Sequence, residues 1–330
     1  MAALTTLLLA LLVAAALAWA LGTTAGARAL LALLPGLQAQ GVQGRLLGDF
    51  AVQQLRWRMG SRRELVIDAL AWQGLQLSLP GPGPARLQVA RLQAQRLDLQ
   101  GPSDDPNPVV LPANLILPLQ VDLDEVRVDE VLFDAIRTRP VRGLAGRLQL
   151  GAGPAALHRL EGLQARWDRV LAEGEATLGA AAPLALDAAL RLRPAPPVSP
   201  PAPEGSASAP TQAPADWSAQ LTGHGPLARL QIHAELAARG QSLQADAEVE
   251  PVARQPLAHL QARLAGLDLA PLATGLPHTA LTGQIDARLS ADSPGRAASP
   301  LGLQVALDNQ RPGRLDAGAL PLRRIELEAR

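Results

Sequence analysis

Past residue 22 this chain alternates apolar and polar side chains with a period of two, and seldom with the 3.6-residue period of a helix. Leu75, Leu77 and Leu79 alternate with Gln76 and Ser78, Leu87 and Val89 repeat the pattern, and Leu97 and Leu99 flank Asp98. Leu144, Gly146, Leu148 and Leu150 follow, then Leu184 and Leu186, Leu190 and Leu192, Ile285, Ala287 and Leu289, and Leu301, Leu303, Val305 and Leu307. Successive side chains of a strand point to opposite faces, so such runs predict half-buried strands, broken where Gly, Pro or Asn cluster. The expected fold is mainly β. Two windows, Ala234–Ala238 and Leu257–Leu264, consist of good helix formers, but the glycine spacing and the neighbouring alternation favour strand there too.

What the chain lacks narrows the chemistry. Its 30 basic residues are all arginine and balance 30 acidic ones, so no global field draws nucleic acid or an anionic membrane. With no lysine there is no phosphate-binding P-loop, and with no cysteine there are no disulfides, thiolate nucleophiles or cysteine zinc sites. The five histidines, His158, His224, His233, His259 and His278, are scattered at spacings that suit no zinc site. Asp122, Asp124, Glu125, Asp129 and Glu130 invite a calcium reading, but Arg127 stands where an EF-hand loop needs its sixth-position glycine. On a strand, Asp122 and Asp124 share one face and Val121 and Leu123 the other, so a solvated sheet face is expected. No Gly-x-Ser-x-Gly elbow occurs. The chain reads as a non-enzyme without catalytic residues, cofactor or metal.

Two segments stand outside the alternation. Ala2–Gly22 carries no charge and as a helix spans roughly 30 Å, the thickness of a bilayer core. A cleaved signal peptide is the rival reading, with cleavage options at Ala18-Trp19-Ala20 or Ala25-Gly26-Ala27. The missing basic n-region and the long apolar run argue for an uncleaved anchor. Thr24–Leu34 follows as a short amphipathic helix ended by Pro35-Gly36. Pro194–Ala215, with eight prolines and almost no bulky apolar side chain, can neither pair in a ladder nor form a core. It is a flexible loop or linker. The expected organisation is therefore a transmembrane anchor and interface over 1–27, a first β-rich segment over 28–193, the Pro/Ala/Ser-rich stretch 194–215, and a second β-rich segment over 216–330. The pattern stops in mid-strand at Leu327-Glu328-Ala329-Arg330, which reads as a piece of a longer protein.

The apolar faces are then the working part. A sandwich core is the plain reading; the functional one is an elongated, curled, antiparallel-rich sheet forming a taco-like groove with few short helices. Its candidate lipid-facing residues are Leu75, Leu77, Leu87, Val89, Leu148, Leu150, Leu301, Leu303 and Val305.

Several ordered motifs carry a family resemblance. Leu21-Gly22-Thr23-Thr24-Ala25-Gly26, then Leu34-Pro35-Gly36-Leu37, then Gly41-Val42-Gln43-Gly44-Arg45-Leu46-Leu47-Gly48-Asp49-Phe50, are similar to the N-terminus of the TamB family, where an anchor precedes a G-x-G-x-L element, a strand and an L-x-W element. Leu55-Arg56-Trp57 and Leu70-Ala71-Trp72 stand in the corresponding places. Asp246-Ala247-Glu248-Val249, Leu267-Asp268-Leu269-Ala270-Pro271-Leu272 and Leu281-Thr282-Gly283-Gln284-Ile285 resemble the family's recurring L-D-L-x-x-L and L-x-G-x-L strands. The resemblance implies a single-pass protein of the Gram-negative inner membrane with its body in the periplasm, an AsmA-like, bridge-like lipid-transfer protein. It further implies phospholipid or outer-membrane proteins, autotransporters among them, as cargo, and a TamA-like Omp85 barrel as partner through a C-terminal domain that lies beyond this sequence. Another AsmA-type transfer protein is the alternative, and an anchored β-solenoid adhesin or enzyme the next.

Overall fold

A computed structural model describes residues 22–59, 63–79, 81, 83–101, 111–133, 137–196, 216–253, 256–288 and 302–329. Strand takes 65% of the described residues and helix 5%, so the fold is mainly β as the alternation requires. The expected anchor, apart from Gly22, and the Pro-rich stretch from residue 197 to 215 lie outside the described residues. Among the described residues no helix is long and apolar enough to cross a membrane. The chain forms two compact units, one of Met1–Pro106 with Ile116–Leu163, the other of Asn107–Leu115 with Gln164–Arg330.

The first unit opens on the helix Thr24–Leu33. Thr23 caps it, its hydroxyl accepting from the Gly26 amide at 3.0 Å, which satisfies one of the free N–H groups of the first turn. Leu34 leaves helical geometry before Pro35, as a residue preceding proline is pushed to do. The helix sets fully buried Ala27 against Val42, Phe50 and Val52, with Leu31 and Trp72 packed around them. Phe50 and Trp72 stack with ring centroids 4.1 Å apart, and the Trp72 indole donates to the Leu46 carbonyl at 3.0 Å.

Strands β1 (Leu37–Gln40) and β2 (Gln43–Gly44) both pair with β3 (Gly48–Met59), which pairs with β4 (Arg63–Ser78). Strands β5 (Arg86–Val89) and β6 (Arg91–Gln100) lie antiparallel to β4 and parallel to β7 (Gln120–Phe133), which pairs with β8 (Val141–Leu150). The sheet is thus mixed but antiparallel-rich as expected, the pairings of β5 and β6 with β7 being the parallel ones among the named strands described. Parallel neighbours cannot be joined by a hairpin, and the chain between β6 and β7 has to return to the far end before pairing again. Strand β9 (Leu157–Trp167) leads from the first unit into the second.

The second unit is a meander. Its strands are β10 (Val170–Gly179), β11 (Ala185–Pro194), β12 (Trp217–Pro226), β13 (Leu230–Ala238) and β14 (Gln241–Val249), then β15 (Leu257–Leu267), β16 (Leu281–Arg288), β17 (Gly302–Asn309) and β18 (Arg324–Ala329). Each pairs antiparallel with the next. Gly240 (φ 68°) sits in the two-residue turn joining β13 and β14, a position that needs a left-handed backbone. Both helix-prone windows are strand, within β13 and β15. Leu184 falls in the turn before β11 rather than in a strand, at φ 55°.

Candidate functional site

The register of the second unit shows what the alternation builds. Along one row across the nine strands, directly paired residues are Gly174, Leu190, Leu221, Ala234, Ala245, Ala262, Ile285, Val305 and Leu327. The row on one side runs from Ala172 to Ile325 and that on the other from Ala176 to Ala329, again with nothing but Gly, Ala, Val, Leu and Ile. At about 4.8 Å between strands, such a row is ~38 Å wide. The opposite face carries the interleaved polar residues, such as Glu175, Thr222, His233, Asp246, Gln261, Asp286, Gln304 and Glu328.

The apolar face is not closed into a core. In the central row Ala262 is buried, the residues from Gly174 to Ala245 are half-buried, and Leu327 is 51% exposed. The end at the start of β12 is covered. There Trp217, Leu236, Leu267 and Leu281 are buried together, with Leu269 and Leu272 from the chain after β15 and Leu320 from the chain after β17 laid over them. Asp268 pins this cover, its Oδ1 accepting from the Ala270 and Thr279 amides at 3.2 and 3.0 Å and its Oδ2 lying 3.1 Å from His278 Nδ1. Partial burial works against the Asp268 charge, yet the hydrogen bonds from His278, Thr279 and Ala270 hold its carboxyl below the usual range.

The polar face holds a depression lined by His233, Asp246, Gln261, Arg263, Asp286 and Gln304 among others. His233 lies 2.7 Å from Asp246 and 3.2 Å from Glu235, and hydrogen bonds to these carboxylates raise its pKa. Among the described residues no group of three His, Asp or Glu side chains is arranged to hold a metal ion.

In the first unit Leu77, Leu87, Val121 and Leu150 pair as one row, and Val89, Leu123 and Leu148 as the next, with Leu75 two residues before Leu77 on its strand. Six of the nine candidate residues therefore gather at one end of β4, β5 and β8. In the second unit Leu303 and Val305 stand in adjacent apolar rows; Leu301 lies outside the described residues. The two groups belong to different units. Sequence reading passed over Leu221, Ile232, Leu243, Leu260 and Trp217. These lie in strands where Ala and Gly thin the leucine signal, and the clue was period two counted with Ala as apolar.

The acidic run differs from expectation at one position. Asp122 is 2% exposed rather than solvated, because Arg86 and Gln120 both donate to its carboxylate. Next to it, Arg91 reaches Glu125 at 2.7 Å and Arg96 reaches Glu130 at 2.7 Å, so arginines of β5 and β6 neutralise the carboxylates of β7 across the parallel pair. The Arg91 hydrogen bond is the main reason the Glu125 pKa is lowered.

Comparison with protein-family models, curated proteins and solved structures finds no match.

Proposed function

We propose that this chain is part of an inner-membrane-anchored periplasmic protein of the TamB kind, whose apolar sheet faces hold phospholipid acyl chains on their way toward the outer membrane. Service to the assembly of autotransporters and other outer-membrane proteins belongs to the same reading, as does a TamA-like barrel as the receiving partner. The observation that carries it is the set of unbroken apolar rows across nine strands, whose central residues are for the most part only half-buried. Exposing a CH₂ group to water costs about 0.8 kcal/mol, so an acyl chain of ~14 carbons outside a bilayer faces roughly 11 kcal/mol. A continuous apolar face removes that cost at every step, whereas an isolated pocket would remove it at one. The antiparallel meander of the second unit weighs against a β-solenoid adhesin or enzyme, whose coils stack in parallel. The lining of the polar depression is unsuited to hydrocarbon.

Site-specific photocrosslinking tests this reading. Probes at Leu148 and Leu303 should give phospholipid adducts in the cell envelope, while probes at Gln149 and Gln304, one residue away on the opposite face, should not. Adducts at the glutamines alone would overturn it.

A further inference from the structure

We propose that the indole N–H of Trp217 donates a hydrogen bond to the ester or carboxyl oxygen of an acyl ligand lying on the apolar face of the second unit; this rests on the acyl-binding reading above. Trp217 is 7% exposed, and its Nε1 is buried without a hydrogen-bond partner. Trp72 shows the ordinary arrangement, its Nε1 donating to the Leu46 carbonyl. A buried donor left unmatched keeps its desolvation penalty, and around Trp217 the packed side chains of Leu236, Leu267 and Leu281 offer no acceptor. The position is equally specific. Trp217 begins β12, two residues before Ala219, so it stands where the apolar rows end. A ligand that suits this arrangement has a hydrocarbon part to lie on the rows and an acceptor oxygen at one end. An alkane lacks the oxygen, and a sugar or a cation lacks the chain. Leu269, Leu272 and Leu320, which pack against this cluster, come from chain outside the named strands, and their side chains can turn aside while the backbone hydrogen bonds of Leu269 to Thr279 and of Leu320 to His278 stay in place.

The test uses the full chain with methyl decanoate and undecane as competitors of a bound diphenylhexatriene probe. The ester should bind more tightly than the alkane, and Trp217→Phe should weaken the ester about five-fold while leaving the alkane unchanged, as expected for one neutral hydrogen bond. Equal weakening of both ligands would assign Trp217 to packing alone and overturn the proposal, as would no weakening. If neither ligand displaces the probe from the unaltered protein, the acyl-binding reading fails and this inference with it. Should the variant not fold, the indole N–H resonance of the unaltered protein decides the matter. A downfield shift of the Trp217 signal with the ester and not with the alkane supports the hydrogen bond, and an unmoved signal overturns it.

Discussion

At the scale of single residues, burial separates ion pairs that look alike in sequence. Arg86–Asp122 and Arg91–Glu125 both join an arginine to a carboxylate across parallel strands, but the carboxylate side chains are 3% and 30% exposed. A surface pair contributes about 0–1 kcal/mol, because water and salt compete for both partners. A buried carboxylate deprived of its cation keeps the full desolvation penalty, of order 1–3 kcal/mol or more. Glu125 also has Arg127 at 2.5 Å, which remains when Arg91 is removed. Arg86→Ala is therefore expected to destabilise by ~2 kcal/mol and Arg91→Ala by clearly less. Urea unfolding of the two variants measures the difference, and equal midpoints would show that Asp122 is as well solvated as Glu125.

At the scale of elements, the strands of the first unit do not alternate evenly. The apolar phase slips by one residue from Val52 to Leu55 in β3, Leu70 to Ile67 in β4, Ala94 to Leu97 in β6, Val128 to Val131 in β7 and Leu144 to Val141 in β8. The slips align. Gln53, Ala69, Gln95, Asp129 and Gly143 are the positions left out of the paired register, and Ala69 and Gly143 have φ of 51° and 60°. Irregular positions of this kind re-aim the side chains that follow. In the second unit the element most exposed to a single change is β16. Gly283 has φ 146°, and a Cβ there would stand 2.0 Å from the Ala306 carbonyl oxygen of β17. Gly283→Ala must push these paired strands apart, and we expect a loss above ~2 kcal/mol, where Ala for a strand glycine with room and ordinary φ is mild or favourable. Thermal unfolding checks this, and an unchanged melting temperature would mean that the β16–β17 pairing yields freely at that point.

At the scale of the whole molecule, chain connectivity decides what each stretch is for. Strands β11 and β12 pair directly, Leu192 opposite Ala219, so the stretch between them joins two neighbours in the same unit. Each doubling of a flexible loop costs only about 0.6 kcal/mol in closure entropy. Replacing residues 197–215 with a short glycine-rich turn should leave stability within ~1 kcal/mol of the unaltered chain. Chemical unfolding measures it, and a loss of several kcal/mol would show that these residues contribute contacts as well as length.

What the sequence determined by itself is what depends on neighbours along the chain. Alternation at Leu75 and Leu77, or at Leu303, Val305 and Leu307, fixed strand type and the side on which leucine falls, because the pleat has a period of two whatever lies beside it. Thr23, Pro35 and Gly36 fixed the one long helix that is described, through capping and backbone restriction. The strand character of Ala234–Ala238 emerged against propensity, since burial on one face outweighs the few tenths of a kcal/mol that favour helix. Only the tertiary structure decided which strand lies beside which. It placed β6 parallel to β7, buried Asp122, split the candidate residues between two units, aligned nine separate alternations into unbroken apolar rows, and left the Trp217 indole without an acceptor. Hydrogen-bond register joins residues far apart in the chain, and a local period of two is compatible with every such register.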